Sequence, residues 1–143
     1  MKYDDASWHY GGEFPSDLPE ESGGIHIGMF LCWCLLNGLA GNLHIEDSED
    51  GVDDLNNRKI TGTEFLFQYC DEKFTDEDLN EEGNEFALFY FGSGDGYGPY
   101  VRDYQEALNV NDERMYYVKD AWENYDKLSP VIEAAYRKWK TQG

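Results

Sequence analysis

The densest run of hydrophobic positions lies between residues 24 and 41. Apolar side chains recur there at helical spacing and also fill the remaining sides of the helix. This pattern predicts a central helix over residues 25–39 that is buried nearly all round. Because the run also contains His26 and Asn37 and has acids beyond both ends, we expect a core helix and not a membrane span.

Weaker patterns predict the other elements. Thr61 and Glu64 form a capping-box pattern, which places a helix over residues 62–70. Further helices are expected at residues 86–90 and 100–108, and Ser129 with Pro130 is typical of a new helix start in the last third. Residues 42–45 and 115–118 are expected to be extended, residues 92–98 to form a flexible loop, and residues 1–23 to be irregular.

Length and composition fit one folded unit. The 143 residues are 41% hydrophobic and 16% aromatic, which is enough material for one core and argues against global disorder. The sequence therefore predicts a mainly α fold, with α+β possible. We expect a compact single domain over residues 1–143 with a helical bundle-like core, at most a small β-hairpin, and residues 1–23 as an N-terminal arm packed on the body.

Charge narrows the classes of partner. Thirty acids against 11 bases give a net charge of -19, which opposes direct binding to nucleic acids and anionic membranes and favours a basic protein partner. Three cysteines do not suggest a disulfide framework, and the N-terminus lacks the apolar segment of a signal peptide. We therefore expect a cytoplasmic protein; its oligomeric state stays open.

The acids concentrate in two segments, residues 46–54 and 71–85. The first has six acids and no base, so it is a solvated loop, a docking patch for a basic partner, or a place of loose metal binding. Two tyrosines beside a glycine-rich loop are candidate contact aromatics. The predicted partner-binding residues are Asp47, Glu49, Asp50, Asp53, Asp54, Asp76, Glu77, Asp78, Tyr97 and Tyr100.

No segment carries a recognisable catalytic motif. Asp4 or Asp5 with His9 or His26 would suffice for a general base or a metal site, but no established ligand spacing supports this. Cys32 and Cys34 point to opposite sides of a helix, which predicts buried structural thiols. The acidic run 71–82 lacks the ligands of a calcium loop, and the loop 92–98 lacks the lysine of a phosphate loop. The sequence thus predicts no catalytic residue, no metal and no cofactor.

Several blocks resemble a family of small bacterial domains of unknown function. They are KYDDASWHYGGEFPSDLP, GGIHIGMFLCWCLLNGLAG, DEKFTDEDLNEEGNEFA and DAWENYDKLSPVIEAAYRKW. The resemblance implies a stand-alone acidic cytosolic protein, in some cases encoded beside a secreted toxin. It carries no catalytic residues that transfer to this chain.

Three functional hypotheses follow. The leading one is an immunity or antitoxin-type protein that neutralises a basic toxin or effector through its acidic surface. The alternative is a small hydrolase or transferase that uses the N-terminal aspartates and histidines. A further alternative is a nucleic-acid mimic, whose carboxylates would imitate phosphate spacing to inhibit a DNA-binding protein.

Overall fold

The computed structural model describes residues 1–93 and 96–142 of a mainly α-helical chain, as predicted. Gly94 and Asp95 of the predicted glycine-rich loop lie outside the described residues. The elements are β1 Lys2–Asp5, α1 Ala6–Tyr10, α2 Ile25–Leu36, α3 Glu49–Asn56, α4 Gly62–Tyr69, β2 Lys73–Thr75, α5 Glu81–Tyr90, β3 Gly92–Ser93, β4 Gly96–Tyr97, α6 Tyr100–Leu108 and α7 Trp122–Gln142. Short 3-10 turns span Glu20–Gly24, Asp76–Asp78 and Met115–Tyr117, and a π-helical turn spans Leu43–Asp47.

Helix α2 runs through the centre of the core, and every residue from Ile25 to Leu35 is buried. It crosses the start of α4 at backbone contact, because a Cβ on Gly62 would lie 2.1 Å from the carbonyl oxygen of Gly28. Glycine at both positions permits this approach. The predicted capping box of α4 is confirmed: the Thr61 N–H donates to Glu64 Oε1 at 2.9 Å, and the Glu64 N–H donates to Thr61 Oγ1 at 3.2 Å.

The N-terminal residues are more regular than predicted. Strand β1 pairs antiparallel with β2, with Asp4 opposite Phe74 and Asp5 opposite Lys73. Asp5 then caps α1 by accepting a hydrogen bond from the Ser7 N–H at 2.9 Å. The ladder and the cap together hold the first ten residues against the core.

Three local predictions are wrong. Residues 43–47 form a π-helical turn, and at its start the His44 and Ile45 N–H groups both donate to the Gly41 carbonyl. Residues 115–117 likewise form a 3-10 turn, and not a strand. No new helix starts at Ser129: α7 continues through Pro130, with Leu128 buried on one side of this point and Ile132 on the other.

The buried side chains form one hydrophobic cluster around α2. Aromatic rings fill much of it; Phe30, for example, packs against Phe74, Phe86 and Phe91 at centroid distances of 5.3–5.9 Å. None of the helices in the described part of the chain combines the length and the apolar composition that a membrane span requires.

Candidate functional site

A polar cluster lies beside this core where β1, α1 and α2 meet. Asp4 is in β1, His9 is in α1, and His26 is the second residue of α2. Helix α1 packs closely on the turn that precedes α2: a Cβ added to Gly23 would lie 3.3 Å from the Cβ of His9. The N-terminal strand and two helices thereby bring together three residues that the sequence separates.

The carboxylate of Asp4 contacts both histidines. Its Oδ1 lies 2.9 Å from His9 Nε2, and its Oδ2 lies 3.4 Å from His26 Nε2. The two imidazole rings meet edge to face with centroids 4.5 Å apart. The side chains of Asp4 and His26 are only 2% and 1% exposed, and that of His9 is 10% exposed.

Two tyrosines from distant segments complete the cluster. The Tyr97 hydroxyl in β4 lies 2.9 Å from His9 Nε2 and donates to Asp4 Oδ2 at 3.2 Å. The Tyr116 hydroxyl lies 2.6 Å from His9 Nδ1. One assignment satisfies these contacts: His9 carries its proton on Nε2, facing Asp4, and Tyr116 donates to Nδ1.

Burial and charge set the ionisation of the cluster. Burial opposes the ionisation of Asp4, but its contacts with His26 and His9 outweigh this and hold the pKa of Asp4 below its usual value. Burial lowers the pKa of His26, so its imidazole is neutral at pH 7. Burial, with the nearby Asp4 charge, raises the pKa of Tyr97 and of Tyr116. Asp4 is therefore a carboxylate beside the neutral side chains of His26, Tyr97 and Tyr116.

His26 Nε2 has no hydrogen-bond partner among the described residues, although it is buried. Its distance to Asp4 Oδ2 is that of a close contact, but the two groups lack the alignment of a hydrogen bond. A cavity of about 90 Å³ adjoins the cluster and is lined by Tyr3, Asp4, Trp8, Ser93, Gly96 and Tyr97. A small molecule or ion can therefore reach the edge of the cluster.

The arrangement supports two kinds of chemistry. His9, oriented by Asp4, has the geometry of a general base. Alternatively, one oxygen of Asp4 and one nitrogen from each histidine can surround an ion, because these three atoms lie within 4.8 Å of one another. Asp5 belongs to neither arrangement, since its carboxylate is bonded to Ser7 and Lys2.

A second buried polar cluster joins His44, Cys70 and Asp78. His44 Nε2 lies 2.7 Å from Asp78 Oδ1, and the Cys70 sulfur lies 3.6 Å from the same oxygen. The other oxygen of Asp78 accepts the Thr75 N–H at 2.8 Å. Burial, reinforced by Asp78, raises the pKa of the Cys70 thiol, which keeps it protonated. This cluster fastens the π-helical turn to the segment that follows β2.

The first predicted acidic segment forms a surface. Asp47, Glu49, Asp50 and Asp53 are exposed along the π-helical turn and α3, and Asp54 is half-buried. We call the four exposed acids the acidic face. Leu43 and Ile45, which are 38% and 57% exposed, lie on the same turn. The sequence pattern did not mark these two apolar residues, because it predicted residues 42–45 to be extended.

The remaining predicted contact residues do not form one surface. Glu77 is exposed and Asp76 is half-buried, but Asp78 is 3% exposed and bonded to His44. Tyr100 is fully buried, and its hydroxyl donates to the His26 carbonyl at 2.6 Å. Tyr97 exposes part of its ring but directs its hydroxyl into the polar cluster. Asp78 and Tyr100 are therefore removed from the predicted partner surface.

The thiols of Cys32 and Cys34 are buried in α2, and burial raises the pKa of both. They are structural core residues, as their spacing predicted.

Comparison with known proteins gives a family. A family model described as a domain of unknown function, DUF7832, matches residues 2–118, which confirms the resemblance to a family of unknown function. Neither the comparison with curated proteins nor that with solved structures finds a match.

Proposed function

The chain belongs to the DUF7832 family of domains of unknown function, and we propose that it is a protein-binding, immunity-type protein that docks a basic toxin or effector on its acidic face. The observation that carries this proposal is the pairing of exposed apolar side chains with exposed acids on one short segment. Leu43 and Ile45 share the π-helical turn with Asp47, and α3 follows directly with the other three acids.

Such a surface combines the two properties of a strong protein interface. Exposed apolar side chains supply area that loses water on binding, and surrounding charges set the encounter rate and exclude wrong partners. Tyr69, which is 37% exposed, extends the apolar part, because it packs against α3 at Gly51. Residues 43–57 contain no Lys or Arg, so no permanent positive charge within this segment opposes the attraction of a basic surface.

The net charge also indicates which class of partner the protein would bind. A net charge of -19 repels phosphate-rich ligands, whereas a nuclease or another basic enzyme carries the opposite charge at its active site. Covering that active site would inhibit the enzyme. The resemblance to acidic proteins encoded beside toxins supports the same class of partner.

The test separates the acidic face from the overall charge. Photo-crosslinkers at positions 45 and 88 are used in native cells, since Ile45 borders the acidic face and Leu88 is equally exposed on α5. We expect position 45 to capture a basic protein that position 88 does not. Association of the purified pair is then measured at low and high salt with two variants of equal charge. The face variant is Asp47→Asn, Glu49→Gln, Asp50→Asn and Asp53→Asn; the control, at exposed acids elsewhere, is Glu85→Gln, Glu106→Gln, Glu113→Gln and Glu123→Gln.

The face variant should associate at least about 10-fold more slowly at low salt and lose most of its salt dependence, because steering is local. The control variant should lose much less of its association rate and of its salt dependence. Ile45→Ser should mainly speed dissociation, as loss of an apolar contact does. Equal effects of the two four-acid variants, or a partner without basic character, would contradict the proposal.

The polar cluster favours a second candidate function, a small hydrolase or transferase. The supporting observation is the convergence of Asp4, His9 and His26, which is the geometry this hypothesis requires. The adjoining cavity of about 90 Å³ limits such an enzyme to a small reacting group unless the rest of the substrate lies outside it.

A further inference from the structure

The ligand atoms of the polar cluster have the spacing of a metal site. A tetrahedral Zn²⁺ with bonds of about 2.0 Å sets neighbouring ligand atoms roughly 3.3 Å apart. Asp4 Oδ2 and His26 Nε2 are 3.4 Å apart, and Asp4 Oδ1 and His9 Nε2 are 2.9 Å apart. With one ligand atom taken from each residue, the three atoms lie within 4.8 Å of one another. Small side-chain adjustments would therefore place all three around one ion.

The unpaired nitrogen of His26 gives an independent indication of a ligand. A buried polar atom without a partner loses its hydrogen bonds to water and gains none in return, so native proteins rarely leave one. His26 Nε2 is such an atom, and it faces the Asp4 carboxylate at the centre of the cluster. An imidazole nitrogen that carries no proton offers a lone pair to a metal ion.

His9 has a hydrogen-bond partner at its second ring nitrogen, as metal-binding histidines usually do. A ligating histidine is usually held by a hydrogen bond at its other nitrogen, which fixes the ring and its tautomer. Tyr116 occupies this position, 2.6 Å from His9 Nδ1. Because a hydroxyl both donates and accepts, Tyr116 can support either tautomer, including the one that frees Nε2 for a metal.

The Tyr97 hydroxyl marks the fourth position beside the three side chains, because it lies 2.9 Å from His9 Nε2 and 3.2 Å from Asp4 Oδ2. Tyr97 and Asp4 also line the cavity of about 90 Å³. Three protein ligands with a fourth position open to a cavity are the pattern of a catalytic rather than a structural zinc site.

We propose that Asp4, His9 and His26 bind one divalent transition-metal ion, Zn²⁺, through the carboxylate and the two imidazole Nε2 atoms. Two imidazoles and one carboxylate suit Zn²⁺ better than Ca²⁺ or Mg²⁺, which prefer oxygen ligands. This site is separate from the acidic face and does not depend on the proposed partner. The proposal differs from the prediction made from sequence, which was of no metal because no established ligand spacing is present.

The test is metal binding by the full-length protein after removal of metal with a chelator. We expect one Zn²⁺ per chain by calorimetry, and Co²⁺ as a substitute should give visible absorption with a nitrogen- and oxygen-ligated spectrum. His26→Gln and His9→Gln should each weaken Zn²⁺ binding by about 100-fold or more, since each removes a ligand. Circular dichroism of each variant checks that it is folded.

Tyr116→Phe keeps all three ligands and removes only the hydroxyl that holds His9. It should weaken Zn²⁺ binding by roughly 10-fold, the effect expected of an outer partner. Cys70→Ser is the matched control, because it alters the second candidate cluster, with His44 and Asp78. The four-acid variant of the acidic face controls for loose binding to surface carboxylates.

Both controls should bind Zn²⁺ as the unmodified protein does. The proposal is overturned if micromolar Zn²⁺ does not bind, if folded His26→Gln and Tyr116→Phe bind it unchanged, or if Cys70→Ser abolishes binding. In the last case the ion belongs to the second cluster. Partner association is measured separately, so either proposal can fail without the other.

Discussion

At the scale of single residues, Asp120 shows how burial changes an acid. Its two oxygens accept hydrogen bonds from the hydroxyls of Thr61 and Thr63, at 2.7 Å and 2.9 Å. Burial raises the pKa of Asp120 above its ordinary value of 3.8, although the two threonine hydrogen bonds oppose this. The folded protein therefore holds this proton more tightly than the unfolded chain does.

The sign of the resulting pH dependence follows directly. A raised pKa in the folded state contributes stability below the unfolded value, and this contribution is lost as pH rises through the folded pKa. Asp120→Asn keeps a donor and an acceptor for the threonines and removes the titration. We expect the free energy of unfolding of the unmodified protein, relative to Asp120→Asn, to increase as pH falls from 7 towards 3.8.

Urea unfolding of both proteins at a series of pH values measures this difference. Asp126→Asn is a useful comparison, because Arg58 lowers the pKa of Asp126 and the pH dependence should have the opposite sign. A difference between the unmodified protein and Asp120→Asn that stays constant with pH would contradict the assignment.

Only some site residues were predictable at this scale. Asp4, His9 and His26 attract notice in the sequence because they are titratable groups among aromatic and apolar neighbours. Tyr97 and Tyr116 do not, since tyrosine is common in this chain and their contact with His9 depends on tertiary structure. Asp78 was assigned to the surface because its neighbours are acids, whereas the partner that buries it, His44, lies in another segment.

At the scale of elements, helix α7 contains Pro130 in its interior, although the sequence predicted that a new helix starts there. Pro130 has no N–H, so the carbonyl of Asp126 lacks its helical donor. Pro130→Ala should supply that donor and increase the free energy of unfolding by roughly 1–3 kcal/mol. In urea unfolding, this stabilisation would appear as a higher midpoint concentration with an unchanged dependence of the free energy of unfolding on urea.

Lys127→Ala, at an exposed position of the same helix, is the control and should change stability by less than about 0.5 kcal/mol. If Pro130→Ala is destabilising, the proline ring contributes more through packing than it costs in hydrogen bonding. Pro130 does line a groove with Phe89 and Trp139, where such packing would occur.

Local signals predicted elements well where a complete local rule was present. The capping box of α4 and the extent of α6 needed only neighbouring residues, and both are confirmed. Strand β1 was missed because its partner β2 lies far along the chain, and short strands depend on such pairing. The π-helical turn was missed because its five residues, LHIED, are too few to show a helical period in the sequence.

At the scale of the whole molecule, charge repulsion acts against the fold. Thirty acids face 11 bases, and the ion pair of Arg58 with Asp126 joins two side chains that are about half exposed. Exposed ion pairs of this kind contribute little to stability. Repulsion among the remaining acids should therefore dominate the electrostatic part of the free energy of unfolding. Raising salt from about 0.01 M to about 0.15 M shortens the screening length from about 30 Å to about 8 Å.

We therefore expect the melting temperature at pH 7 to rise with NaCl over this range, as measured by circular dichroism. The four-acid variant of the acidic face should start from a higher temperature in low salt and rise less. A melting temperature that falls with salt would mean that ion pairs outweigh the repulsion.

The polar cluster has a consequence for the order in which the chain acquires its native form. His9 contacts Tyr97 and Tyr116, which lie 88 and 107 residues further along the chain. During synthesis on a ribosome, Asp4 and His9 emerge before Tyr97 and Tyr116. Their contacts cannot be complete until both tyrosines have emerged. Contacts of such long range form slowly. The cluster is therefore complete only after the chain has been synthesised as far as Tyr116, which makes it a marker of a late stage of folding.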